Sequence, residues 1–504
     1  MHTPPAGISE ADWLATPVAV RALILAEQEE IDQLRVQLTA LATELASLRE
    51  RIGRSSRNSS KPPSSDGPGF KPPERRKGSG RKRGGQPGHP GSGPELLPIK
   101  RVDKLLEHHP DACRRCGTLL QGEDPAPLRH QVIEIPPITP LVIEHRLHRL
   151  VCPCCSTSTS ATLPADVEAT RFGPKLSALV GLLGSAFPLS FSKTQALLSQ
   201  LLGVEISCGT IAKIRQGLSA ALEQPMNQAI AFARQQQVVY VDETGAPTGN
   251  ADGGNPDGKR GWQWVMVTAM VTVFMQGLSR TTAAAIELLG DAFGGIVVSD
   301  RFSVYNYFPL EQRQLCWAHV IRDLTAIAER QGASAQFGAE LLALQQQLFE
   351  QWHQWKDGTI DWPTLRRCCW PIRQSFEATL QRMVELGYQR GEQTPWAKTV
   401  RTCHKLLKQK EALWTFLEIQ GIEPTNNSAV DVVFSAGVRA LRQSVIQRKI
   451  SHGVQSRQGA ICRSRLLTVT TTLRQQGRDV WQFMEQAWVA HHRGGEMPSL
   501  LPDP

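Results

Sequence analysis

The sequence predicts a multidomain α+β protein, on three observations. An apolar heptad stripe runs up to residue 52, two Cys-x-x-Cys pairs flank a strand-like stretch within residues 102–165, and the hydrophobic period switches from helical to strand-like at Gln236. A chain of 504 residues is long enough for about three or four domains.

Ile31, Leu34, Leu38, Leu41, Leu45, Leu48 and Ile52 are separated by alternating steps of three and four. That spacing puts them on one stripe of a helix over 18–52 and predicts a coiled coil, hence a homo-oligomer. A helix packed on its own chain is the plainer alternative.

Residues 53–101 are rich in Pro, Gly, Ser and basic side chains, with too little apolar surface to repay the entropy of ordering. They are expected to form a disordered basic linker. Lys and Arg outnumber Asp and Glu by 56 to 47 overall, and the excess gathers here, which suggests a polyanionic partner. Within "RRKGSGRKR", Arg75, Arg76, Lys77, Arg81, Lys82 and Arg83 suit phosphate contacts, although a solvated tether has the same composition.

The start "MHTPPAGISEADW" lacks the basic and apolar pattern of a signal peptide, and the longest apolar run, "VMVTAMVTVFM", is too short to span a bilayer. The expectation is a cytosolic protein with no membrane association. In that setting the eleven cysteines are read first as metal ligands rather than disulfides. Cys113 with Cys116 and Cys152 with Cys155 suit a structural, tetrahedral Zn²⁺ in a module over 102–165, with "HQVIEIPPI" and "LVIEHRLHRLV" as intervening strands. Cys154 is an alternative ligand, and reduced cysteines without metal are the alternative state.

Residues 166–230 carry helical spacing. "SKTQALLSQLLGVEISCGTIAKIRQGL" has the layout of a helix-turn-helix whose second helix presents Lys213 and Arg215 to DNA. Plain helical cores share this layout.

From Gln236, "QQVVYVDE", "WQWVMVTAMVTVFM" and "GGIVVSDRF" read as strands, with "TTAAAIELLGDAF" as a helix. Asp242 and Asp300 each stand where an apolar strand meets a polar turn. Their spacing matches a ribonuclease-H-like α/β sheet that brings two carboxylates onto neighbouring central strands. Such oxygen ligands suit two Mg²⁺ ions about 3.5 to 4 Å apart, which serve phosphodiester chemistry. Adjacent strand residues point to opposite faces, so Asp242 rather than Glu243 is expected to look into the site.

Taken together, the heptad helix, "SSKPPSSDG", "GGQPGHPG", the cysteine pairs, "VDET", "SDRFSVY", "CWAHVIRDL", "EPTNN", "VRALR" and "RKIS" resemble the IS66 family of bacterial insertion-sequence transposases, of the Asp-Asp-Glu class. The resemblance covers most of the chain. It implies a ribonuclease-H-like catalytic core over 231–324 and 423–465, interrupted by a helical insertion over 325–422 and followed by a C-terminal helical element over 466–504. It implies cleavage and strand transfer of double-stranded DNA with Mg²⁺, at terminal inverted repeats and a target, in the bacterial cytosol and at the nucleoid. Accessory proteins of the element are further candidate partners. Asp242 and Asp300 take the place of the first two metal-binding acids, and His319, Arg322, Asn426 and Asn427 take supporting places.

The resemblance fails at one position. The family has a Glu-Arg soon after the Asn pair, whereas Val438 precedes Arg439 here, and counting from the Asn pair reaches Val430. An insertion of about eight residues with loss of the glutamate accounts for both. Asp431 is the nearest carboxylate, but one step on a helix turns a side chain by about 100°, and Glu423 lies before the Asn pair. The expected function is therefore a DNA transposase of impaired activity. The competing expectation is an inactive DNA-binding, oligomerising protein derived from one.

Overall fold

In the computed structural model, which describes residues 9–53, 96–164, 167, 170–425 and 453–501, the run "VVYV" forms the middle strand of a five-stranded sheet. The β-branched and aromatic side chains there are buried on both faces, as a central strand requires. Two short strands come first in the chain, β1 (Arg149–Val151) and β2 (Ser158–Ser160), paired as an antiparallel hairpin. The larger sheet contains β3 (Val238–Gly245), β4 (Trp262–Val267), β5 (Thr272–Gly277), β6 (Ile296–Ser299) and β7 (Arg313–Leu315), in the order β5-β4-β3-β6-β7. The β3–β4 and β4–β5 pairs are antiparallel, and the β3–β6 and β6–β7 pairs are parallel.

Helices α1 (Glu10–Ala15) and α2 (Val18–Gly53) open the described chain. The predicted heptad thus lies in one helix of 36 residues, on which Ile31, Leu34 and Leu38 are exposed. The side chains of Leu41, Leu45, Leu48 and Ile52 lie outside the described residues, as does the basic cluster from Arg75 to Arg83.

Among the described residues the chain divides into two compact units, one of 96–146 with 195–206 and one that holds 147–194 and 207–501. In the first, Leu97 is tied to the middle of the segment: its N–H donates to Gln131 Oε1 (2.8 Å) and its carbonyl accepts from Gln131 Nε2 (2.8 Å). The strands predicted at 130–138 and 141–151 are largely absent. Only the end of the second forms β1, while Val132, Ile133, Ile135, Leu141, Val142 and Ile143 are exposed. Pro136, Pro137 and Pro140 remove ladder donors in this stretch, and apolar alternation alone does not supply a pairing strand.

Helices α3 (Pro174–Ser185), α4 (Phe191–Leu202), α5 (Cys208–Ala221) and α6 (Glu223–Ala233) follow. Beyond β5, α7 (Thr282–Leu289) crosses to β6, and α8 (Trp317–Ala328) follows β7. The predicted insertion is all helical: α9 (Ala333–Lys356), α10 (Trp362–Leu386), α11 (Pro395–Lys408) and α12 (Glu411–Glu418). Asp361 and Thr394 cap α10 and α11 by accepting from the N–H groups of Thr364 and Ala397. The insertion shares its core with the sheet. Trp317 on α8 lies 5.3 Å from Trp414 and 5.4 Å from Phe376 between ring centroids, and its indole N–H donates to Leu413 O at 2.9 Å. Trp352 and Trp414 are buried, as expected of core tryptophans, whereas Trp370 is exposed.

The last two helices are α13 (Arg457–Gln475) and α14 (Val480–Arg493). They form one packed layer with α3, α5 and α6, so the predicted segments 166–230 and 466–504 meet although they are far apart in the chain. Gly181 and Gly217 permit close approach: a Cβ at either would collide with Leu218 or press on Trp488. Thr470 on α13 bonds Ser185 (3.0 Å), and Trp481 on α14 donates to Lys175 O (2.9 Å).

Threonines of two helices seal the sheet edges. On β5, the N–H groups of Thr272 and Phe274 donate to Thr472 Oγ1 (3.0 Å) and Thr468 Oγ1 (2.9 Å) of α13. On β7, Arg313 O accepts from Thr415 Oγ1 of α12 at 2.5 Å.

Candidate functional site

Parallel pairing of β3 with β6 sets Tyr240 opposite Val298. Two residues on, Asp242 and Asp300 are therefore level on neighbouring strands. Burial pushes Asp242 up to about 8, and the negative charges of Glu243 and Asp300 add to the effect. Asp242 Oδ1 accepts from the N–H of Glu243, and Asp300 Oδ1 from that of Phe302, both at 2.9 Å. These bonds orient both carboxylates: Asp300 stands just past the end of β6, as expected, whereas Asp242 lies within β3, which runs on to Gly245 rather than turning there.

Glu243 is buried and committed elsewhere. Its Oε1 accepts from Arg280 Nη2 (2.6 Å) and Nε (3.0 Å), and its Oε2 accepts from Tyr305 OH (2.8 Å). Burial, with Asp300 nearby, still holds its carboxyl above the usual range. Arg280 lies over the rings of Phe302 (3.8 Å) and Trp262 (4.6 Å). This pair, in which Glu243 is buried and Arg280 partly exposed, ties β3 to the segment after Asp300. Tyr305 stands within "SDRFSVY", but nothing in the sequence singles out Arg280, whose role arises only when the segment after β5 folds back against β3.

The first turns of α8 complete the surroundings. His319 is held down to about 3 by burial, then by the positive charges of Arg322 and Arg301, so its ring is neutral. Its buried Nδ1 has no hydrogen-bond partner among the described residues. Arg322 acts on Asp242 in the opposite sense, lowering its carboxyl. Arg301 pairs with Asp323 (Nε to Oδ2, 3.0 Å), and buried Arg313 donates to Asp300 O (3.2 Å) and Asn306 Oδ1 (2.9 Å).

Asn426, Asn427 and Asp431 lie outside the described residues, as do Val430 and Val438. The ends of this gap are nevertheless anchored around β3. On the entering side Trp317 N donates to Pro424 O (2.9 Å) and Glu423 N to Tyr240 OH (3.4 Å). On the leaving side Val454 N donates to Pro247 O (3.0 Å) and Gly249 N to Val454 O (2.8 Å), just past the end of β3. Among the described residues no three His, Cys, Asp or Glu side chains gather as a group able to hold a metal ion.

The two cysteine knuckles repeat one local design. Cys113 N donates to Thr118 O (2.8 Å) and Gly117 N to Cys113 O (2.9 Å). Likewise Cys152 N donates to Thr157 O (2.9 Å) and Ser156 N to Cys152 O (2.9 Å). Gly117 at φ 74° and Ser156 at φ 57° take the same left-handed turn. Cys116 and Cys155 each lie 3.3 Å from a threonine hydroxyl, and that contact lowers both thiols, Cys116 to about 7. Cys155, not Cys154, is thus the counterpart of Cys116.

On the predicted recognition helix α5, Lys213 is exposed but Arg215 turns inward. Its guanidinium lies over the Phe191 ring (5.2 Å) and against Gly184, and burial lowers its pKa. It is therefore unsuited to a groove contact. The turn itself has the expected local form: Gly203 sits at φ 61°, and Ser207 caps α5 by accepting from Thr210 N (3.1 Å).

Residues 169–461 match the model of the transposase IS66 family, more than half of the 504 residues. Residues 110–156 match the zinc-finger binding domain of transposase IS66, and residues 16–95 match a family of unknown function, DUF6444. A comparison with curated proteins gives no match.

Proposed function

From the premise that the chain belongs to the transposase IS66 family, we propose that it binds terminal inverted repeats and cleaves and joins DNA in a Mg²⁺-dependent reaction. Asp242 and Asp300 frame the proposed site. The level placement of these carboxylates on adjacent parallel strands carries this proposal. The same placement, in the middle of a mixed sheet, supports a ribonuclease-H-like core.

The residues suit a hard divalent cation: the donors are carboxylate oxygens, and the burial that raises Asp242 is a cost that a cation would relieve. Asp242 and Asp300 would hold Mg²⁺, whose chemistry is charge stabilisation at phosphoryl, attacking and leaving oxygens. Arg322 offsets the negative charge of the pair. Neutral His319 leaves its buried Nδ1 for a hydrogen bond to a water, and the Arg280–Glu243–Tyr305 cluster holds β3 against the segment after Asp300.

The third acid is the weak point. Either anchor of the family pattern reaches a valine, and Asp431 is out of register. Misplacement by about 1 Å can cost a hundredfold in rate, so activity is impaired, with Asp431 as the nearest substitute. An inactive DNA-binding form is the second reading, favoured by the commitment of Glu243 to Arg280 and Tyr305. The test removes residues 430–437 and makes Val438→Glu, then measures joining of terminal-repeat DNA with Mg²⁺. The repaired chain is expected to join at least tenfold faster; equal rates would refute impairment.

The zinc-finger match supports structural zinc. We assign it to Cys113, Cys116, Cys152 and Cys155, on the match and the repeated knuckle form. The heptad on α2 supports self-association, and the basic stretch from Arg75 to Arg83 together with Lys213 supports DNA contact.

A further inference from the structure

A cleft of about 340 Å³ is lined by Arg301, the residue after Asp300, and by Arg330, Lys398, Arg401, Thr402 and Lys405. Five of the six are cations. The carboxylates set against them are Asp323, which pairs with Arg301, and Glu392, whose carboxyl is lowered chiefly by the Thr394 hydroxyl and to a smaller extent by Arg401. Positive charge is in excess.

The arginines are held in place. Arg330 Nη1 donates to Pro395 O (3.2 Å), and Arg401 Nη1 donates to Glu392 O (2.8 Å) while its guanidinium lies over Tyr388 (5.2 Å). Each uses part of its fork on the protein and retains other N–H donors. Lys398, Arg401, Thr402 and Lys405 recur at helical spacing along α11, opposite the buried Ala397, Val400, Cys403 and Leu406. From Lys398 to Lys405 the helix rises about 10 Å, long enough to meet more than one phosphate of a strand. Arg301 links the cleft to the carboxylates: it follows Asp300 directly, and its charge reaches both His319 and Cys403 of α11.

We propose that this cleft holds the phosphodiester backbone of a single DNA strand running to or from Asp242 and Asp300, so that the insertion supplies a strand guide. This rests on the transposase proposal above.

The test uses the zinc-loaded full chain without added Mg²⁺, so no Mg²⁺-dependent reaction intervenes, and a fluorescein-labelled single-stranded 20-nucleotide DNA followed by anisotropy across a salt series. Replacing Lys398→Gln and Lys405→Gln together is expected to lower the slope of log affinity against log salt by about 1.4, at roughly 0.7 per phosphate contact. Lys408→Gln, outside the cleft, is expected to leave it unchanged. An unchanged slope in the double variant, with DNA binding otherwise intact, would overturn the strand guide and leave the transposase proposal standing. If the unaltered chain binds neither single-stranded nor duplex DNA, both fall.

Discussion

The cysteine knuckles and the carboxylate pair are both candidate metal-binding elements, yet they are built in opposite ways. Each knuckle is a few residues long, exposed, and shaped by its own backbone: a left-handed turn at Gly117 or Ser156 and two hydrogen bonds close it. Asp242 and Asp300 are 58 residues apart, from numbers 242 and 300, and become level only through the β3–β6 register, with Arg280 from beyond β5 pinning the neighbouring Glu243. A local site carries its geometry wherever its short segment goes. A site assembled across a sheet depends on everything that holds the sheet in register, and it stores like charge in a buried place.

That contrast is open to attack at three points. The largest effect is expected from Arg280→Met, which leaves Glu243 buried without its cation. A loss of about 3–5 kcal/mol in urea unfolding is expected, with zinc content unchanged. A loss below about 1 kcal/mol would mean that the carboxylate frame does not depend on this cross-sheet pair.

The effect of Asp242→Asn depends on pH and is smaller for each pH unit crossed. The folded carboxyl titrates at about 8, above its ordinary value of 3.8, so the folded state holds a proton that the unfolded state releases as pH rises between those values. Stability is thus highest below the lower value and is lost as pH climbs to the upper one. In metal-free buffer the asparagine variant is expected to gain on the parent over that window, by at most about 1.4 kcal/mol per pH unit. A gain that grows towards acid would reverse the sign and refute the buried, uncompensated state of Asp242.

The smallest effect on the sheet is expected from the knuckles. Cys116→Ser and Cys155→Ser should each abolish bound zinc by metal analysis while moving the urea midpoint of the tryptophan-rich core little. Cys154→Ser should retain about one zinc per chain. Loss of zinc on changing Cys154 would contradict the equivalence of Cys155 with Cys116.

Legibility followed the same divide. The runs ending in Asp242 and Asp300, the helical periods of α9 to α12 and the cysteine pairs were readable because each is encoded in neighbouring residues. The inward course of Arg215 is not legible because it depends on Gly184 and Phe191, across a helix boundary, rather than on the face of α5 alone. The stretch from His130 to Leu147 alternates like a strand but has no ladder within the described chain, and periodicity does not report a missing partner. The joining of α13 and α14 to α3 and α5 is likewise a tertiary event. The third-acid segment was readable only as a departure from a pattern, since its residues between Thr425 and Gly453 lie outside the described chain.

The sequence "LLTVTTTL" at residues 466–473 has the composition of an aggregation-prone strand, yet it is helical and lends its hydroxyls to β5. By occupying outward-facing N–H groups of β5, with Thr415 doing the same for a carbonyl of β7, these threonines remove a template on which a second copy would extend the sheet. The self-association proposed for α2 is thereby kept apart from the sheet edges.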